Sequence, residues 1–317
     1  MMIDIDELDD RFGIEGELGF NEIDGDLVSV TIFNKFADVE ICLYGAQIMR
    51  FIPHGSFDVL WMSPESYFEE GKAIRGGIPI CFPWFGPHPS EGEKPAHGFA
   101  RIMYWEVIAT ASIETGETLV CLQLSSSDET KQYWPFDFCA KLSVLVGKSL
   151  EIKLNVANTG DQNFEYSAAL HSYFSVSGIE NIAIKGLQGA TYYNGFENDL
   201  NVQEEEMLEI KQEENRRYIN SEGDCVILDP IFNQATRISK EGSKVTVVWN
   251  PGIETSAKME DMPDDGYEAF VCIETVNAYG DTIELLPGED HTTAAIIGFD
   301  YKMSDTSLGN SGGFKVV

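Results

Sequence analysis

The sequence predicts an all-β protein built as a large sandwich of short strands, and three observations carry that expectation. Runs such as Val245-Thr246-Val247-Val248-Trp249 are dense in β-branched and aromatic residues, which suit a pleated, half-buried surface. Segments such as 27–33 (LVSVTIF) and 37–43 (ADVEICL) alternate apolar with polar side chains, the period-two signature of a strand with one buried face. The 29 glycines and 12 prolines supply turn signals between these pieces. At 317 residues and 43% hydrophobic, the chain can bury one large core.

Taken in order, residues 1–26 form an acidic N-terminal segment ahead of the first clear strands at 27–33 and 37–43. The stretch Ile78 to Phe85 is apolar, yet Pro79 and Pro83 fix φ and remove amide donors, so an interrupted strand is expected there rather than a helix. Strands follow at 119–124, 140–145, 150–156 and 164–170, separated by turns at Gly147-Lys148 and Asn158-Thr159-Gly160-Asp161. The charged segment 201–217 fits a short helix or an exposed strand pair, with a solvated face as its role. Residues 304–317, rich in Ser, Gly, Asp and Asn, read as a flexible tail, leaving 27–303 as the folded domain.

Charge excludes several partners. With 53 acidic and 21 basic residues the net charge is −32, so neither nucleic acid nor an anionic membrane surface is an expected partner. The six cysteines stand singly in apolar sequence without metal-finger spacing, as reduced core residues do. The acidic N-terminus lacks the features of a signal peptide, and no run approaches membrane-spanning length, so a cytoplasmic location is expected. No HxH or HxxxH pair is present, and neither are GxxxxGK or a strand-to-helix GxGxxG, while GNSGG at 309–313 fits GxSxG only within the tail, without a strand-to-helix setting. Metal, nucleotide and serine-hydrolase chemistry are therefore not expected.

Acid–base chemistry without a cofactor remains. His171 closes the apolar segment 167–174, as either a hydrogen-bonded core residue or a site residue tuned by burial. Glu274 sits in Ala269-Phe270-Val271-Cys272-Ile273-Glu274-Thr275, as either a strand-end carboxylate facing solvent or a desolvated proton acceptor. Only seven residues are arginine, and two of them, Arg75 and Arg101, bracket a glycine- and proline-broken apolar segment. Their planar forks suit phosphate or carboxylate, while Trp84 and Phe85 offer flat surface for a sugar's C–H face. His97, close to Arg101, either holds a sugar hydroxyl or braces a loop. A core strand with two surface arginines explains the same pattern equally well.

In order, RGGIPICFPWFG at 75–86, HGFAR at 97–101 with Trp105 following, ALHSYF at 169–174, VVWNP at 247–251, and VCIET with LLPGE between 271 and 289 carry a resemblance. Over residues 27–299 the chain resembles the glucose-6-phosphate 1-epimerases, hexose-6-phosphate mutarotases of the aldose 1-epimerase superfamily. The resemblance implies a single galactose mutarotase-like β-supersandwich with the sugar in a cleft across one sheet. It further implies a monomeric isomerase that interconverts the α and β anomers of a hexose 6-phosphate, with no cofactor and no metal. His171 matches the catalytic histidine and Glu274 the catalytic carboxylate, while Arg75 and Arg101 match arginines associated with the phosphate. His97 matches a second histidine in the cleft, and Asp224 the acidic member of an Asp-Arg pair. Cys225 stands where that arginine is expected, Gly252 where a tryptophan is common, and Asn194 where an aspartate is common. Two other readings share the scaffold: an aldose 1-epimerase acting on unphosphorylated sugars, and a non-catalytic carbohydrate-binding module.

Overall fold

Where one face of a strand meets water the alternation of the sequence becomes alternation of burial, as in Phe138–Val146 and Ser149–Asn158. The computed structural model describes residues 3–88, 90, 92–195 and 199–300, so the tail expected at 304–317 lies outside the described residues. Among the described residues the strands form two large antiparallel sheets, of nine and eight strands, with a four-stranded sheet and a two-stranded ribbon beside them. The four-stranded sheet runs in chain order from Leu18–Ile23 to Gln47–Pro53. The nine-stranded sheet ends on Met207–Leu208 and Glu106–Ser112, with Asp290–Asp300 and Ser149–Asn158 near its middle.

The eight-stranded sheet positions the site. Its order is Leu200–Val202, Thr191–Asn194, Glu214–Ile219, Val245–Asn250, Phe270–Asn277, Ala168–Leu170 and Ile80–Cys81, with Tyr173–Ser175 also pairing with Phe270–Asn277. One face, with Leu170, Tyr218, Val248, Val271 and Ile273, joins the main core, which also takes Val120, Leu142, Val144, Leu154 and Ile297 from the nine-stranded sheet. The opposite face carries Ala169, Val245, Val247 and Val276 in a second apolar cluster. A third cluster, Trp61, Tyr173, Met262, Phe270 and Cys272, lies beside it.

Three segments differ from their sequence reading. Within the acidic segment 1–26, the helix Ile5–Phe12 is capped by Asp4, which accepts the Glu7 amide, and the strand Leu18–Ile23 pairs with Leu27–Phe33. Its Leu18 and Phe20 are buried while its acidic neighbours face outward, so ordered structure begins before residue 27. The strand expected at 164–170 is two strands, because the chain changes partners at Ser167: Phe164–Tyr166 pairs with Ile283–Leu285, and Ala168–Leu170 with Phe270–Asn277 and Ile80–Cys81. Segment 201–217 holds no helix and ends inside the strand Glu214–Ile219 of the eight-stranded sheet.

Among the described residues, no helix is long and apolar enough to cross a membrane, and no group of three or more His, Cys, Asp or Glu is placed to hold a metal ion. All six cysteines are free.

Candidate active site

The strand Phe270–Asn277 is buried at every position, on both faces. Glu274 is its only ionisable carboxylate and is 2% exposed. Leu170 pairs with Thr275, and the next residue, His171, comes level with Glu274 on the same face. His171 Nε2 stands 3.4 Å from Glu274 Oε1. Glu274 is therefore not a solvent-facing strand end, and His171 is not a fully hydrogen-bonded core histidine. Each keeps one buried polar atom without a hydrogen-bond partner, Nδ1 of His171 and Oε2 of Glu274. Buried polar groups are almost always paired, so two orphans on one pair are unusual and leave two hydrogen-bonding positions open.

Burial governs the protonation of this pair. It pushes the Glu274 carboxyl well above its ordinary value. Burial, then the positive field of His97, Arg101 and Arg75, pushes His171 well below its own. Desolvation penalises both charged forms, so it favours a protonated carboxyl and a neutral imidazole.

Aromatic rings frame the histidine. Tyr173, two residues along and on the same face, stacks on it at 4.9 Å and 14°, and Trp249 meets its edge at 5.9 Å. The Tyr173 hydroxyl accepts from Arg75 Nη1 at 2.9 Å, and Arg75 forms a 2.9 Å ion pair with Asp261. Arg75 stays protonated despite burial, since Tyr173 and Asp261 more than offset it. Arg101 donates from Nη2 to the Ala96 carbonyl at 2.8 Å, and its buried Nε has no partner. Burial and then Arg75 weaken its hold on the proton, though Cys81 acts the other way.

His97 packs edge-on to His171, with centroids 5.6 Å apart, and burial followed by Arg101 and Arg75 lowers it from 6.5 to about 3. Its backbone is left-handed, at φ 63°, and the His97 amide donates to the Gly86 carbonyl at 2.7 Å. Gly98 follows at φ 76°, where a Cβ would stand 2.0 Å from the Phe82 carbonyl oxygen, so only glycine lets this loop close on the wall.

Two sequence candidates are not brought to the pair. Trp84 turns into the main core, its indole N–H donating to the Pro95 carbonyl at 2.9 Å, and the neighbouring Phe85 faces His97 instead, at 4.9 Å. Adjacent residues on an extended chain point to opposite faces, and here the second of the two has the site. Asp224 directly precedes the strand Cys225–Asp229 of the nine-stranded sheet and pairs with Arg237 at 3.0 Å. Gly252 opens a short helix at φ 61°, where a Cβ would lie 2.7 Å from the Glu213 amide nitrogen, so a tryptophan has no room. Asn194 ends the strand Thr191–Asn194, exposed.

Sequence reasoning passed over Asp261 and Tyr173. Tyr173 was legible as the residue two beyond His171 on the same face. Asp261 lies in an acidic run with nothing to set it apart until the fold brings Arg75 to it.

A buried acid–base pair with spare hydrogen-bonding atoms, set among aromatic rings on a β-sandwich sheet, has the parts to move protons on a small polar molecule. The family model "Aldose 1-epimerase" matches residues 28–297. A protein named "Putative glucose-6-phosphate 1-epimerase" from Salmonella typhimurium is 37% identical over 258 residues, covering 80% of this chain and 84% of the relative. One of the same name from Escherichia coli is 38% identical over 236 residues, covering 74% and 78%. A crystal structure described as a "putative mutarotase" from Salmonella typhimurium shares the fold with a TM-score of 0.84 and 32% identity, over 91% of this chain and 95% of that one. The chain belongs to the aldose 1-epimerase family, and its fold is the galactose mutarotase-like supersandwich.

Proposed function

We propose that the protein interconverts the α and β anomers of a hexose 6-phosphate, glucose 6-phosphate first among them, with Glu274 and His171 as the acid–base pair. The 3.4 Å approach of His171 to Glu274 is the observation that carries this reading. A pyranose opens when a base takes the proton of the anomeric hydroxyl and an acid protonates the ring oxygen. Both oxygens sit on one carbon, so two groups in mutual contact can reach them together.

Glu274 serves as the base toward O1 and His171 as the acid toward the ring oxygen. Those roles need a proton on His171 and none on Glu274, against the direction in which burial pushes both groups, so a proton passes from Glu274 to His171. A dianionic phosphate supports that transfer, because it offsets the part of the shift that Arg101 and Arg75 add to burial and His97. Opening gives the aldehyde, rotation about C1–C2 presents its other face, and the reverse transfers close the ring with both protons returned. Each transfer contributes roughly 10²–10⁴-fold.

Arg75 braces Tyr173 against His171 and is already paired with Asp261, while Arg101 keeps an unpartnered donor. The commitment of Arg75 to Asp261 favours a second reading, turnover of unphosphorylated aldoses. Exchange NMR on α-glucose 6-phosphate and on free α-glucose decides between them. Accelerated anomer exchange of the phosphate ester, absent in folded Glu274→Gln and His171→Asn proteins, is the expected result. Acceleration of free glucose alone establishes the second reading, and no acceleration of either removes both.

A further inference from the structure

Arg217 was grouped with a solvated charged segment, but the sheet register sets it on the wall that carries the catalytic pair. Tyr193 pairs with Arg217, Arg217 with Val247, and Val247 with Glu274. Residues directly opposite in antiparallel strands share a face, so these four form one transverse row with His171 at its end. Two inter-strand steps of about 4.8 Å separate Arg217 from Glu274, roughly 10 Å between backbones. Val247 lies between them as apolar floor.

The Arg217 guanidinium is 4.9 Å from the Tyr279 ring and 5.8 Å from the Tyr193 ring, and its Nη2 donates to the Gly195 carbonyl. These contacts orient the fork. Together with Gly280 the three side chains line a cavity of about 500 Å³. The cavity is joined to the pair through rings, Tyr279 against Phe85 at 5.9 Å and Phe85 against His171 at 6.3 Å. Tyr279 holds a left-handed backbone at φ 54°, a conformation unfavourable for tyrosine that recurs at ligand sites.

We propose that Arg217, with Tyr279 and Tyr193, is the specificity-determining site for the anionic end of the substrate, a phosphomonoester one sugar length from the reacting carbon. Arg75 and Arg101 flank His171, whereas Arg217 lies beyond Glu274, across an apolar floor suited to a sugar's C–H face. In a chain of net charge −32, an oriented guanidinium between two tyrosines at that distance selects for an anion. This assignment rests on the hexose-phosphate reading above.

The test compares KM and kcat for α-glucose 6-phosphate and free α-glucose in the wild-type protein, Arg217→Gln and Arg217→Lys. Arg217→Gln is expected to raise KM for the phosphate ester by about 10- to 100-fold, the loss of a charge-assisted contact, with kcat within about threefold and free glucose unaffected. Arg217→Lys, which keeps the charge but not the fork, falls between. It carries the comparison should Arg217→Gln fail to fold, and a threefold or larger rise in KM for the ester alone then supports the assignment. Unchanged KM for the ester in the folded variants overturns it, as does an equal loss on both sugars. A wild-type protein with no preference for the ester overturns the hexose-phosphate reading itself, whatever the variants do.

Discussion

The strands Ser149–Asn158 and Phe270–Asn277 draw on similar residue types yet live in different surroundings. The first alternates along its whole length, with Leu150, Ile152, Leu154 and Val156 in the core and Glu151 and Lys153 paired on the outer side. A charge there costs little, since water solvates it. The second is covered on both faces, by the main core through Val271 and Ile273 and by the aromatic wall through Phe270 and Cys272. A carboxylate inside such a strand lowers stability unless it is neutral or in use. Charge on a one-sided strand is therefore ordinary, whereas the single carboxylate of a two-sided strand calls for a reason that solvation does not supply.

Crossed substitutions put that contrast at greatest risk. Glu274→Gln is expected to lower kcat by about 10²–10⁴-fold with little change in stability, because the amide fills the same space and is neutral, the form that burial favours. Glu151→Gln, an equal change on the one-sided strand, leaves the rate within twofold. Leu142→Ala, fully buried in the nine-stranded sheet, does the reverse. It costs about 2–5 kcal/mol in urea unfolding and leaves kcat per folded molecule unchanged. A Glu151 variant as impaired as the Glu274 variant, or a Leu142 variant whose kcat collapses, erases the distinction.

The same contrast explains what was legible beforehand. One-sided strands announced themselves by period two, and those at 119–124, 140–145 and 150–156 stand within strands of the folded protein, as does 27–33, whose first four residues are all buried. His171 and Glu274 were legible as ionisable residues in apolar runs, because the cost of burying charge is local. Placement was not local. Trp84 and Phe85 are adjacent and both aromatic, and only the packing of the loop decides which one meets His97. Arg217 sits in a stretch dense with charge, and nothing short of the pairing register puts it level with Glu274. Asp224 followed a motif spacing into the other sheet.

A smaller effect separates the two members of the wall that burial perturbs in opposite directions. His97 titrates near 3 in the fold against an ordinary 6.5, so the unfolded chain takes its proton first as the solution is acidified. Its stabilising contribution is present above pH 6.5 and is lost as pH falls from there toward 3. The slope is at most about 1.4 kcal/mol per pH unit for one proton. Glu274, raised above 4.5, acts on the other limb: its contribution is present below pH 4.5 and is lost as pH rises through its folded value. Urea midpoints measured across pH 4 to 8 are expected to show a flatter acid limb for His97→Gln and a flatter alkaline limb for Glu274→Gln. Parallel curves for wild type and both variants contradict the burial of these groups.

The smallest expected effect is the sharpest check on which sheet does the chemistry. Asp224 carries the same charge as Glu274 and was matched to a sugar-binding position, yet it is paired with Arg237 beside the nine-stranded sheet and is about half exposed. A surface pair of this kind is worth about 0–1 kcal/mol. Asp224→Asn is therefore expected to leave KM and kcat for α-glucose 6-phosphate within twofold of wild type and to shift the urea midpoint only slightly. A tenfold rise in KM would mean that the substrate reaches across to the second sheet, and the row from Tyr193 to His171 would then be only part of the binding wall.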